Sequence, residues 1–197
     1  MMKYLSLDIE TTGVEHKSPK NILQLSAVVE DCGLRLPIDQ LPHFTIFIAH
    51  DKYEGEAYAL WLNSWIFKEL AEWEKTCWKP ADQQYKTKYP VLREGAWEML
   101  FIDFLKRNFG NSRINLAGKN VASFDYQFLP KHVQNKFRGR MIDPGSMFAD
   151  FNKEALPSLG EICTPLGMSA VTHDAYEDAI KVIETIRKHP RYPNLSL

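Results

Sequence analysis

Three apolar runs open the chain, and the stretches between them are too short to hold a crossover helix. Lys3-Tyr4-Leu5-Ser6-Leu7 reads as a strand, Ile22–Val29 as a second and His43–Ile48 as a third. Strands joined this way pair as antiparallel neighbours, so the chain is constrained to begin as a meander. The period then changes. From Ala57 to about Glu74 the apolar residues Leu60, Trp61, Trp65 and Leu70 recur at helical spacing. Trp97, Leu100, Phe101, Phe104 and Leu105 form a second helical stripe, closed by Gly110. Ile114–Gly118 reads as a short strand, and Met141-Ile142-Asp143 as another strand end before the turn at Pro144-Gly145. Leu156–Leu166 and Asp174–Lys188 read as the last helices. The order β-β-β-α-α-β-α-β-α-α predicts an α/β fold with a mixed five-stranded sheet, an antiparallel meander plus parallel strands, flanked by helices. Residues 1–189 are expected to form a single domain and residues 190–197 a short tail.

The first strand ends in an unusual place. Side chains alternate along a strand, so Leu5, Leu7 and Ile9 share one face while Ser6, Asp8 and Glu10 share the other. Two carboxylates on one face raise each other's pKa unless something neutralises them. A divalent cation does so directly, because hard ions take carboxylate oxygens. Two solvated acids at a strand end would be the plainer reading. A third acid, Asp125, follows the short strand within "KNVASFDYQFL". If that strand lies beside the first, Asp125 arrives at the same sheet edge. Taken alone, it reads as a helix N-cap before it reads as a ligand.

The third cluster is "THDAYEDAIKVIETI". Asp174 and Glu177 fit a capping box. His173 then lies just outside the helix, on a loop, where an imidazole can take and give protons. Asp178 lies in the first turn, at the edge of the buried stripe Ala179, Val182, Ile183 and Ile186.

Composition narrows the setting. The formal net charge is −1, so no global basic field announces a long nucleic acid, although a short one needs few phosphate contacts. Cys32, Cys77 and Cys163 are odd in number and form no CxxC, which argues against a disulfide framework and a zinc site. The first residues carry no signal-peptide pattern, and no apolar run approaches the roughly 18–20 residues of a membrane span. A cytoplasmic protein without membrane contact is expected. Residues 73–93 mix Lys75, Lys79, Lys86, Lys88 and Arg93 with Trp73, Trp78, Tyr85 and Tyr89. That mixture suits either a solvated loop or a platform for stacking single-stranded bases.

Asp8-x-Glu10, then Asp125 within N-x-x-x-D, then His173-x4-Asp178 resembles the DEDDh 3′–5′ exonucleases. That superfamily includes oligoribonuclease, ribonuclease T and the proofreading exonuclease domains of DNA polymerases, all of the ribonuclease H-like fold. "LDIETTG", "ILQLSAVV", "KNVASFDYQFL", "RMIDPGSMF", "LPSLGEICTPLGM" and "HDAYEDA" each resemble a segment of its pattern, so the likeness spans most of the chain and is weakest across residues 51–93. His173, five residues before Asp178, matches the histidine variant. Departures are Lys119, where many relatives have His, Asp174, where Arg is frequent, and Gln24, where Glu is common.

The resemblance implies two divalent ions, Mg2+ or Mn2+, held by Asp8, Glu10, Asp125 and Asp178, with His173 as general base. It implies hydrolysis of short or single-stranded RNA or DNA from the 3′ end to nucleoside 5′-monophosphates. Thr11 and Thr12 are implied at the terminal 3′-hydroxyl and Phe124 near the terminal sugar. Asn120 belongs to the same substrate-side motif, and Trp61 or Leu62 would wedge between the last bases, although a tryptophan at helical spacing is more often core. Asp174, an acid beside the catalytic His, is expected to alter the charge facing the leaving strand. A homodimer, a proofreading subunit working with a polymerase in trans, and an inactive nucleic-acid-binding relative are the remaining alternatives.

Overall fold

The computed structural model describes residues 1–14 and 21–192. Five strands form one sheet in the order β4-β3-β2-β1-β5. β1 (Lys3–Thr11), β2 (Ile22–Asp31) and β3 (His43–Ala49) make the expected antiparallel meander. β5 (Asn115–Ala117) adds parallel to β1, and β4 (Val91–Arg93) adds parallel to β3. The mixed five-stranded α/β architecture is therefore as expected, but one strand is a different one. Residues 141–143 contribute only a single bridge, Ala117 to Ile142. The fifth strand is Val91–Arg93, inside the segment read as loop or platform.

Eight α-helices surround the sheet among the described residues. They are α1 (Ala57–Leu62), α2 (Ser64–Glu74), α3 (Trp97–Phe109), α4 (Asp125–Phe128), α5 (Lys131–Gln134), α6 (Pro144–Met147), α7 (Leu159–Cys163) and α8 (Ala175–Arg187). The helix expected over 57–74 is broken at Asn63, which caps one piece and starts the next. The last two helices are shorter than the expected Leu156–Leu166 and Asp174–Lys188, α7 by the most. No helix among the described residues is long and apolar enough to cross a membrane.

β1 lies in the interior of the sheet and separates two cores. Leu5, Leu7 and Ile9 face Phe101, Phe104 and Leu105 of α3. Tyr4, on the opposite face, joins Ala179, Val182, Ile183 and Ile186 of α8. The Ser6 hydroxyl donates to the Ala179 carbonyl at 2.8 Å, tying α8 to β1 beneath the acids. At the far end of α8, Arg187 donates to both oxygens of the fully buried Glu30 at 2.9 and 2.6 Å. Within the expected tail, Tyr192 is buried and its hydroxyl hydrogen-bonds Glu30, while residues 193–197 lie outside the described residues.

Gly118 sets how closely the Asp125 segment approaches β1. A Cβ there would sit 2.6 Å from the Leu7 carbonyl oxygen and 2.8 Å from Val121 Cβ. Both neighbours are backbone or backbone-proximal atoms that no rotamer change can move. We expect Gly118→Ala to cost about 1–3 kcal/mol in urea denaturation, the usual range for overpacking. Unchanged stability would mean that the β5–α4 junction yields more easily than this contact implies.

Candidate active site

Where β1 ends, its pairing with β2 slips by one residue between Glu10 and Thr11. Such a bulge re-aims the side chains around it. Asp8 and Glu10 emerge there on the face that α8 covers. β5 runs parallel to β1, so the loop after it delivers Asp125 to the same carboxyl edge. Asp125 is the first residue of α4 and not a side-chain cap. Its Oδ1 instead accepts the Ile9 N–H at 3.0 Å, across to β1.

Asp178 comes from the first turn of α8. Its two oxygens accept the backbone N–H groups of Thr172 and His173, both at 3.2 Å. His173 precedes the helix with φ of 56°, a left-handed conformation uncommon outside glycine. Its ring is exposed. Asp8, Glu10, Asp125, His173 and Asp178 all line one cleft of about 280 Å³. Ligand-capable atoms of Glu10, His173 and Asp178 lie within 4.8 Å of one another.

The electrostatics are those of crowded, buried anions. Burial pushes the Asp8 carboxyl well above its ordinary range, and the charges of Asp125 and Glu10 push it further. Burial, followed by the Asp178 charge, raises Glu10 to about 8 against a hydrogen bond from Asn63. Burial raises Asp125 to about 7 despite the N–H bond from Ile9. Asp178 is also raised by burial, with the two loop N–H groups and Lys181 opposing. Lys181 is itself buried, its Nζ 3.6 Å from Asp178 Oδ1. These donors fit a hard divalent cation: they are carboxylate oxygens, and the repulsion between them is what such an ion relieves.

The residues expected on the substrate side divide. Thr11, Leu62 and Phe124 line the cleft. The buried Thr11 hydroxyl donates to the Gly13 carbonyl at 2.7 Å. Thr12, Trp61 and Asn120 are not among the lining residues. Thr12 is fully buried; its hydroxyl donates to the Glu54 carbonyl at 2.6 Å and accepts the Asn21 N–H at 3.0 Å. It holds the loops behind the cleft together. Trp61 is 69% exposed, contrary to a place in a helical core stripe, with its ring 6.0 Å from that of Tyr58. Asn120 uses its backbone N–H on Asp143 and its side chain on Ser123.

Tyr58, Asn63 and Lys119 line the cleft without having been singled out as site residues. Asn63 donates to the Thr11 carbonyl at 3.0 Å, and its buried Oδ1 lacks a hydrogen-bond partner. Lys119 was visible only as a departure from a motif. Asp174 is absent from the lining, which corrects the expectation that it faces the leaving strand. It is buried, accepting from Gln24, Lys88 and Tyr89. The capping box is half formed, since Asp174 accepts from the N–H groups of Tyr176 and Glu177 while the Glu177 carboxylate turns to Lys88.

Fold and cleft together define an α/β domain with an acidic, oxygen-rich site and an imidazole at its rim. No protein-family model matches the chain, and no curated protein matches it by sequence. Solved structures do match in fold. Exonuclease I from Methylocaldum szegediense superposes with a TM-score of 0.60 at 17% identity, over 98% of this chain and 42% of that one. E. coli exonuclease I, solved with a 5cy-dT13 oligonucleotide, gives 0.57 at 13% identity, over 94% of this chain and 40% of that one. Cell-death related nuclease 4 gives 0.57 at 11% identity, over 94% and 62%. The chain thus spans from about two fifths to three fifths of these neighbours' lengths. The fold is the one these nucleases share.

The raised carboxyls link stability to pH. In the metal-free protein Glu10 and Asp125 bind protons up to about 8 and about 7, whereas unfolded carboxyls release them near their ordinary values. Between those limits the native state holds more protons than the unfolded state, so stability falls as pH rises. We expect the melting temperature in EDTA to fall from pH 5 to about pH 8.5, and Mn2+ to flatten or reverse the slope. A slope unaffected by Mn2+ would argue against a cation site here.

Proposed function

We propose that this chain is a metal-dependent 3′–5′ exonuclease of the DEDDh type, acting on single-stranded or short nucleic acid. One observation carries the reading: four acids and a histidine from three distant segments line one cleft, in the order of the family pattern the sequence resembles. The fold shared with two exonuclease I structures and a cell-death related nuclease supports it. Asp8, Glu10, Asp125 and Asp178 would hold two Mg2+ or Mn2+ ions. When bound, such ions lower the pKa of water and neutralise charge on phosphoryl oxygens.

The chain's own residues supply the rest. His173, exposed at the rim beside Asp178, takes the proton of the attacking water. Its ring lies close to the carboxylates of Glu10 and Asp178. Thr11 has spent its hydroxyl proton on Gly13, so its oxygen is left as an acceptor for a terminal 3′-hydroxyl. Leu62, Phe124 and Tyr58 give the cleft apolar walls against which a sugar and base can pack. Lys119 brings a cation to the same wall, suited to a phosphate. DNA is the first substrate class to test, because the E. coli neighbour was solved with dT13.

The test uses 5′-labelled oligo-dT and oligo-U of graded length with Mg2+ or Mn2+. A ladder shortening from the 3′ end is expected, abolished by chelator and by Asp8→Ala. His173→Ala should lower kcat by roughly 10²–10⁴-fold, the range of a lost general base. Internal cleavage, or no cleavage with either metal, would refute the proposal.

A further inference from the structure

The His173 ring is aimed by its backbone, and that backbone is anchored by the next residue, Asp174. Asp174 is 4% exposed and meets groups from three parts of the chain. Gln24 of β2 donates to its Oδ1 at 3.1 Å and accepts the Ala175 N–H at 3.1 Å. Lys88 Nζ donates to its Oδ2 at 2.8 Å and to Glu177 at 3.1 Å. The Tyr89 hydroxyl lies 3.1 Å from both Asp174 oxygens. Lys88 and Tyr89 precede β4, in the segment where the exonuclease resemblance is weakest. They are locked from behind as well. The Tyr89 ring meets Phe47 of β3 edge-on at 5.3 Å, and Lys88 Nζ lies 5.8 Å above Trp65 of α2.

The body of α8 has separate anchors: its apolar stripe, the Ser6 contact and the Arg187–Glu30 pair. Loss of Lys88 would leave the helix seated. It would strip a buried carboxylate of its only cationic hydrogen-bond donor among the described residues, and a buried anion short of its partner moves toward water. The loop that moves carries His173 on one side and the N–H groups that hold Asp178 on the other.

We infer that Lys88 and Tyr89 are positioning residues, which through Asp174 hold the His173 loop and the Asp178 carboxylate in working geometry. This rests on the exonuclease reading of the cleft. Lys88→Met should lower kcat on a labelled oligonucleotide roughly 10–100-fold with KM little changed, and weaken Mn2+ binding by a comparable factor, as losses of outer supporting contacts do. Mn2+ binding is read by electron paramagnetic resonance on substrate-free protein. Lys88→Arg should retain most activity, because the cation persists. Tyr89→Phe should show a smaller loss of the same kind. Adding Asp174→Asn to Lys88→Met should recover part of the deficit, since a neutral amide needs no cation, and the two changes should be non-additive.

Full kcat and full Mn2+ affinity in Lys88→Met would overturn the inference. So would equal losses in Lys88→Met and Lys88→Arg tracking a fall in melting temperature, which is the signature of general destabilisation. If the wild type binds Mn2+ without turnover, the exonuclease reading fails and the clamp is judged on Mn2+ affinity alone. If it neither binds nor turns over, both fall.

Discussion

Burial of carboxylates, with mutual repulsion added at Asp8 and Glu10, is the constraint around which the carboxyl end of β1 is built. Asp8, Glu10, Asp125 and Asp178 are pressed upward in pKa, burial being the largest cause for each. A fold tolerates such crowding only if strong packing elsewhere holds the groups together. Here that packing is the double-sided burial of β1, with α3 filling one face and α8 the other. The surrounding donors then share the anions out. Ile9 serves Asp125, the 172–173 loop serves Asp178, and Asn63 serves Glu10. Lys181 adds one buried cation beside Asp178, on the side away from the cleft lining. Lys181 and the cleft-lining Lys119 against four acids still leave the cleft short of positive charge, which is the condition a divalent ion satisfies.

What could be read from the sequence was local. The three-strand meander, the two faces of β1 and the helical stripe of α8 follow from periodicities of two and 3.6. The acids of the cleft were visible because each sits at a strand or helix boundary within its own short motif. Thr11 and Phe124 entered only through the family resemblance, and both line the cleft. β4 could not, because Val91-Leu92-Arg93 is three residues long and follows a proline. The break at Asn63 was equally hidden: the apolar period continues through it, and only the tertiary bond to the Thr11 carbonyl explains it. Trp61 illustrates the converse error. Its spacing implied a core, but α1 turns that position outward.

The basic and aromatic segment 73–93 resolves into neither simple reading. Several of its aromatics pack: Trp73, Tyr89 and the neighbouring Trp65 cover Phe47, Ile66 and Leu70. Several of its cations are engaged over rings, Arg93 above Trp73 at 5.5 Å and Lys88 above Tyr89 at 5.3 Å. Trp78 and Tyr85 stay exposed. The segment thus builds a third small core and reaches past it to Asp174, the residue after His173. Composition cannot distinguish a residue that stacks on a base from one that stacks on its neighbour, since both need a flat ring and a nearby charge.

Two departures from the resembled pattern, Gln24 and Asp174, turn out to be one feature. A glutamate at 24 and an arginine at 174 could satisfy each other with opposite charges. A glutamine and an aspartate cannot: the amide gives Asp174 a single bond from Nε2, and its Oε1 goes to Ala175. The Tyr176 and Glu177 N–H groups add hydrogen bonds from the helix cap, but all of these donors are neutral and leave the buried charge without a counter-charge. Lys88 supplies the missing charge from a residue 86 positions away, and Tyr89 adds its hydroxyl. Beside the His173 loop the anion is therefore on the loop and the cation on the intervening segment, the reverse of an arginine at 174 facing a glutamate at 24. That inversion explains why Asp174 does not face the cleft. It also explains why a segment with so little likeness to the pattern ends against the His173 loop: once the aspartate is there, some distant cation must come to it.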